Sequence, residues 1–78
     1  MILKKGSTGV NVRKLQKALS KLGYFNYPAF TLYFGSVTLK ALKRFQTDND
    51  LVPDGIAGSK TFKVLGITFE KSQATKYD

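Results

Sequence analysis

Catalytic chemistry has few places to reside in this 78-residue chain, which contains neither histidine nor cysteine. General acid–base and nucleophilic catalysis draw mostly on those residues or on a positioned pair of carboxylates. The acids that cluster are Asp48, Asp50 and Asp54, within "TDNDLVPDG". As a glycosidase pair they are poorly placed, at an expected helix end and turn where Asp bonds its own backbone. A calcium loop fails on register: counting from Asp48, the sixth and twelfth positions hold Pro53 and Ser59, not Gly and Glu. Phosphate-loop and dinucleotide fingerprints are absent as well. No catalytic residue, metal site or cofactor is expected, and binding chemistry is what remains.

Two features supply it. The stretch "YFNYPAFTLYFG", residues 24–35, holds six of the ten aromatic residues. The net charge is +8, with nine Lys or Arg and no acid before Asp48. Such a surface attracts nucleic acid, anionic membrane or anionic wall polymer, or serves solubility alone. No apolar run is long enough to span a membrane, and no signal-peptide core is read near the N-terminus.

The elements that must position these residues are helical. Gly6-Ser7, Gly35-Ser36 and Gly58-Ser59 each precede an apolar pattern of helical spacing, and the serines are expected as N-caps. Val12, Leu15, Leu19 and Leu22 form the first stripe, with Gly23 as its stop. Thr38, Ala41, Leu42 and Phe45 form the second, while Lys40, Lys43 and Arg44 point away. Phe62 and Leu65 form a short third, ended by Gly66. Leu51 and Ile56 are expected to dip into the core.

The chain also repeats itself. "FGSVTLKAL" (34–42) returns as "AGSKTFKVL" (57–65), and Val12, Leu15 and Gln16 are echoed by Leu42, Phe45 and Gln46. Repetition of this kind is architectural, because one unit alone cannot bury its apolar face. The predicted fold is all-α: a compact three-helix bundle, two helices longer and one short, with a pseudo-repeat and long ordered loops. Residues 1–66 make the domain and 67–78 a polar tail or linker.

Together, "LKKGSTGVNVRKLQKALSKLGY" (3–24), "FGSVTLKALKRFQTDNDL" (34–51) and "DGIAGSKTF" (54–62) resemble the small peptidoglycan-binding domain of bacterial and phage wall hydrolases. The resemblance runs through Gly6, Gly9, Val12, Leu15, Gln16, Leu19 and Leu22-Gly23-Tyr24. It continues through Phe34-Gly35, Thr38, Phe45-Gln46, Asp54-Gly55, Gly58 and Thr61. It implies a non-catalytic module that targets a hydrolase such as an endolysin or amidase, in cis or in trans, to peptidoglycan. The setting implied is the bacterial cell wall or the extracellular space, and a monomer is expected. One departure is visible. The family reads Asp-Gly-x-Phe-Gly in the first loop, whereas this chain has Thr31-Leu32-Tyr33-Phe34-Gly35, which implies a different backbone path at residues 31 and 32.

Within that frame Phe25 and Phe34 are expected to be buried, and Tyr24 in part. Gln16 and Gln46 are expected to tie down loop backbone, and Thr38 and Thr61 to support caps. Tyr27, Phe30 and Tyr33 are too many for so small a core; exposed, they mark an interaction surface, unless they pack on one another. The candidate ligand-binding residues are Tyr27 and Tyr33, lining a shallow groove, with Arg44, Asn49 and Asp54 offering polar contacts. Arg44 suits a carboxylate; Asp54 alternatively caps its own turn. Teichoic acid is a further candidate ligand on charge. Two other readings stay open: a basic nucleic-acid-binding domain, and a phage structural or interaction protein on the same fold.

Overall fold

The computed structural model describes residues 2–67. They contain three helices, α1 (Val10–Lys21), α2 (Ser36–Asp48) and α3 (Ser59–Leu65), and two isolated antiparallel bridges. Of the tail expected at 67–78, residues 68–78 lie outside the described residues, whereas Ile67 is described: it donates to the Phe62 carbonyl at 3.0 Å and packs on the core.

The helices start differently from the expectation. Glycines 9, 35 and 58 occupy the N-caps, and no side chain caps any of the three. Each glycine carbonyl accepts an early helical bond, as from Leu39 to Gly35 at 3.0 Å and from Phe62 to Gly58 at 2.9 Å. Ser36 and Ser59 are thus already the first helical residues. Ser7 lies three residues before α1, where its Oγ accepts from the Lys4 amide at 3.1 Å.

The helix stops match the expectation. Past α1, Gly23 (φ 91°) donates to Ser20 and Tyr24 to Leu19; past α3, Gly66 (φ 76°) donates to Lys63 and Ile67 to Phe62. Both are paired 5→2 and 6→1 bonds that satisfy terminal carbonyls. This geometry corrects Leu22, which is 55% exposed. The chain has left the helix by that residue, so the i+3 rule no longer points it inward, and Phe25 fills the core instead.

Buried in that core are Leu3, Val12, Leu15, Leu19, Phe25, Phe34, Ala41, Leu42, Phe45, Ala57 and Phe62, with Leu51 and Leu65 packed against it. Ile56 is a second correction. It is exposed, and its neighbour Ala57 enters the core, because Ala57 exchanges both backbone bonds with Leu3 at 2.8 and 3.0 Å. At the equivalent position of the first loop, Phe34 donates to Ser7 and accepts from Gly6, each at 2.9 Å. The N-terminal segment therefore clamps both loops at matched positions.

Candidate functional site

Each loop is hung from a buried glutamine. Gln16 Nε2 reaches Tyr33 O (3.1 Å), Thr38 Oγ1 (3.0 Å) and Thr31 Oγ1 (3.3 Å), while Oε1 accepts from the Leu32 amide (3.4 Å). Gln46 repeats the set: Nε2 to Ile56 O (3.0 Å), Thr61 Oγ1 (3.3 Å) and Asp54 Oδ1 (3.4 Å), and Oε1 from the Gly55 amide (3.0 Å). The glutamines do tie down loop backbone. Thr38 and Thr61, expected to support caps, serve instead as acceptors for these amides. Gln16 meets Leu32 sixteen residues on, whereas Gln46 meets Gly55 after nine. The first loop is thus seven residues longer, and the extra length carries Tyr27 and Phe30.

The backbone path at residues 31 and 32 is not different, which corrects the expectation drawn from the missing Asp-Gly. Leu32 adopts φ 63°, matching Gly55 at 76°. Thr31 Oγ1 accepts from the Tyr33 amide at 3.3 Å, as Asp54 Oδ1 accepts from Ile56 at 2.9 Å. Gly9 N–H also holds the Leu32 carbonyl at 2.9 Å. These tertiary bonds enforce a conformation that costs a non-glycine residue about 1–2 kcal/mol.

Of the loop aromatics, Phe25 and Phe34 are buried and Tyr24 is half-buried against Phe45, edge to face at 5.7 Å. Phe30 stacks on Phe25 at 6.1 Å and Tyr27 tilts against it at 6.3 Å, yet Tyr27 and Tyr33 remain about half exposed, at 47% and 49%. Packing and exposure coexist: Phe25 is the platform, and the tyrosines keep a free face. The Tyr33 ring lies so close over Gly35 that a Cβ there would meet it at 3.0 Å.

Tyr27 stands between two clefts. One, of about 280 Å³, is lined by Tyr27, Tyr33, Thr31, Ser36 and Val37. The other, of about 670 Å³, runs from Tyr24, Asn26 and Tyr27 to Lys40, Lys43 and Arg44 on α2. The structure therefore brings Tyr27, Tyr33 and Arg44 onto one face. Asp54 lines a separate depression with Asp50 and Lys60, and its carboxylate is engaged by Ile56 and Gln46. Asn49, the α2 C-cap, donates from Nδ2 to Phe45 O at 2.9 Å and lines neither Tyr27 cleft. Val37 was not singled out from sequence, and Lys40 was read only as outward-facing. The signal was available, because 37, 40 and 44 recur at helical spacing and share one stripe of α2.

Near Arg44, the Tyr24 hydroxyl donates to Asp48 Oδ2 at 2.7 Å. That bond raises the Tyr24 phenol above its ordinary value, helped by burial and by the Asp48 charge, and opposed by Arg44. Exposed rings with flanking amides and cations can take the apolar face of a saccharide and fix its polar groups.

The described residues form a small three-helix domain whose longer first loop and α2 line two adjoining clefts. The peptidoglycan binding domain model matches residues 8–65, and the chain belongs to that family. It is similar to the spore cortex-lytic enzyme of Bacillus cereus, 35% identical over 77 residues, covering 99% of this chain and 27% of the enzyme. The SleB N-terminal domain superposes with a TM-score of 0.81 at 33% identity, covering 97% of this chain and 94% of that one. The Burkholderia AP3 phage endolysin gives 0.76 at 37%, covering 83% and 24%. The chain spans from 27% to 61% of the length of the curated relatives it matches.

Proposed function

We propose that this chain is a non-catalytic module that binds peptidoglycan at the bacterial cell wall and holds a wall hydrolase, in cis or in trans, against its substrate. Membership of the peptidoglycan-binding family supports the ligand, and relatives named as a cortex-lytic enzyme and an endolysin support the hydrolase. The observation that carries the reading is the exposed pair Tyr27 and Tyr33 beside two adjoining clefts. On it the glycan lays a ring face against the tyrosines, and Arg44 takes a carboxylate. Asn49 and Asp54 keep their local backbone bonds and steady the scaffold. The module runs through Ile67, and the polar stretch beyond serves as a linker.

The test is co-sedimentation with sacculi stripped of anionic polymer, in high salt so that screened Coulombic adsorption is removed. Each ring supplies roughly 1 kcal/mol of contact, so Tyr27→Ala with Tyr33→Ala should lower affinity about tenfold or more. A folded double variant that pellets as well as the parent would place the ligand elsewhere.

A further inference from the structure

The larger Tyr27 cleft carries more positive charge than a mostly neutral saccharide requires. Lys40, Lys43 and Arg44 all line its α2 wall and all are exposed. At its edge, Asp48 shares a shallow depression with Lys43, Arg44 and Thr47, and its Oδ2 already accepts the Tyr24 hydroxyl. The Lys43 stem passes over Gly55, where an added Cβ would meet Lys43 Cε at 3.2 Å. At 1.5 Å of rise per residue, the three cations fall within roughly 6 Å along the helix. Opposite them stand the Asn26 amide and the Tyr27 ring.

The repeat shows that this cleft is additional to the architecture. Lys40 is answered by Lys63, but Gly66 and Ile67 stand where Lys43 and Arg44 would recur, because α3 ends at Leu65. The facing wall of Asn26 and Tyr27 belongs to the longer first loop. Both walls therefore lie in parts that the second unit lacks.

We infer that this cleft binds a flexible polyol-phosphate polymer of the teichoic-acid type, a second wall ligand beside peptidoglycan. The inference takes its setting from the wall-binding reading and shares Tyr27 and Arg44 with it, adding Lys40, Lys43 and Asn26. Successive phosphodiesters, ionised at any physiological pH, occupy the three cations, while the polyol hydroxyls face Asn26 and Tyr27. Peptidoglycan carries its carboxylates on stem peptides that branch from a neutral glycan, whereas a polyol-phosphate chain carries one charge at every repeat and so matches a row of cations. Nucleic acid would bring the same phosphodiesters together with bases to stack, and its binding is an outcome of the test below.

The experiment is calorimetric titration of the purified chain with soluble poly(glycerol phosphate), in the absence of peptidoglycan. Lys40→Gln with Arg44→Gln removes two cleft charges. Lys17→Gln with Lys21→Gln removes the same charge from a separate α1 surface. Removing two exposed cation–phosphate pairs should weaken binding roughly tenfold, and the cleft variant alone should show it, with its far-ultraviolet dichroism unchanged. Equal weakening in the two variants would overturn the inference in favour of net charge. A single-stranded oligonucleotide of equal charge that binds the parent as tightly would overturn the choice of polymer. Because the titration contains no peptidoglycan, and sacculus binding is scored separately with Tyr33→Ala, at a residue outside this cleft, failure here leaves the peptidoglycan reading standing.

Discussion

At residue 32 the chain holds a leucine at φ 63°, and at the equivalent residue 55 a glycine at φ 76°. The two loops lay the same backbone over the same kind of glutamine. The second does so with residues that favour the turn locally. Asp54 closes it with a 2.9 Å bond, and Gly55 accepts the left-handed conformation without strain. The first does so against local preference, with a threonine hydroxyl at 3.3 Å and a leucine. Long-range bonds from Gln16 and Gly9 make up the difference. The second loop is a fastener. The first has traded part of its local fitness for a longer, aromatic surface.

The comparison is broken most severely at the glutamines. Gln46→Leu strands the buried Gly55 amide and removes a donor from Ile56 O and Thr61. Each stranded buried group costs about 1–3 kcal/mol, so a loss of about 3 kcal/mol is expected in urea unfolding. Gln16→Leu should cost less, about 2 kcal/mol. Residues 31 to 33 are exposed, so water can replace the amide there. A Gln16 variant as damaging as the Gln46 variant would show the first loop to be equally dependent on its glutamine.

Next in size is Gly55→Ala. A Cβ at residue 55 collides with Leu39 Cδ1 and is held at positive φ. Leu39 can yield at its tip, which leaves about 2 kcal/mol of destabilisation from strain and crowding. Thermal unfolding of this variant against the parent measures it, and a change within experimental error would mean that the second loop is as tolerant as the first.

How far sequence carried the fold can be judged at particular residues. The helices, both glycine stops and the burial of Leu42 and Phe45 follow from spacing, which reports on segments long enough to repeat, while the burial of Phe25 and Phe34 follows from the need to plug the bundle. Failures lie where regular spacing ends. Leu22 is counted inward by periodicity and Ile56 by its apolar type, but each lies just past a helix or a tight turn, where the side chain's direction is set by backbone geometry. The serine caps were misplaced by a residue or more, because a preceding glycine can supply the same carbonyl. The path at Thr31-Leu32 was illegible locally, since bonds from Gln16 and Gly9 decide it. At the site, Tyr27 and Tyr33 were readable as surplus to the core, and Arg44 as outward. The turn-capping bond of Asp54 was the alternative its place in the turn suggested, whereas the bond from Asn49 to the Phe45 carbonyl was not read.

A finer test of the two loops uses Leu32→Gly and Leu32→Ala. Glycine relieves left-handed strain of about 1–2 kcal/mol but gives back roughly 0.5–1 kcal/mol of unfolded-chain entropy. The glycine variant should therefore be the more stable of the two by about 1 kcal/mol, the reverse of their order in a helix. If alanine is equal or better, residue 32 relaxes out of the left-handed region and the two loops do not share a backbone.

The smallest expected effect separates the loops by pH. The first loop begins with Tyr24, whose phenol is raised by its hydrogen bond to Asp48. A folded value above the unfolded one means that the contribution is fully present below the unfolded tyrosine value near 10 and is lost as pH rises through the folded value. In that range the phenolate faces the Asp48 carboxylate, and only Arg44 opposes the repulsion. Stability should thus fall more steeply above about pH 10 in the parent than in Tyr24→Phe, while below it the parent is the more stable. Spectrophotometric titration of the parent and the variant identifies the late-ionising tyrosine, and parallel denaturation curves at each pH give the slope. Identical slopes in the two proteins would mean that the Tyr24–Asp48 bond does not persist in solution, and that the start of the first loop is held by the Tyr24–Phe45 ring contact and the backbone bonds to Leu19 alone.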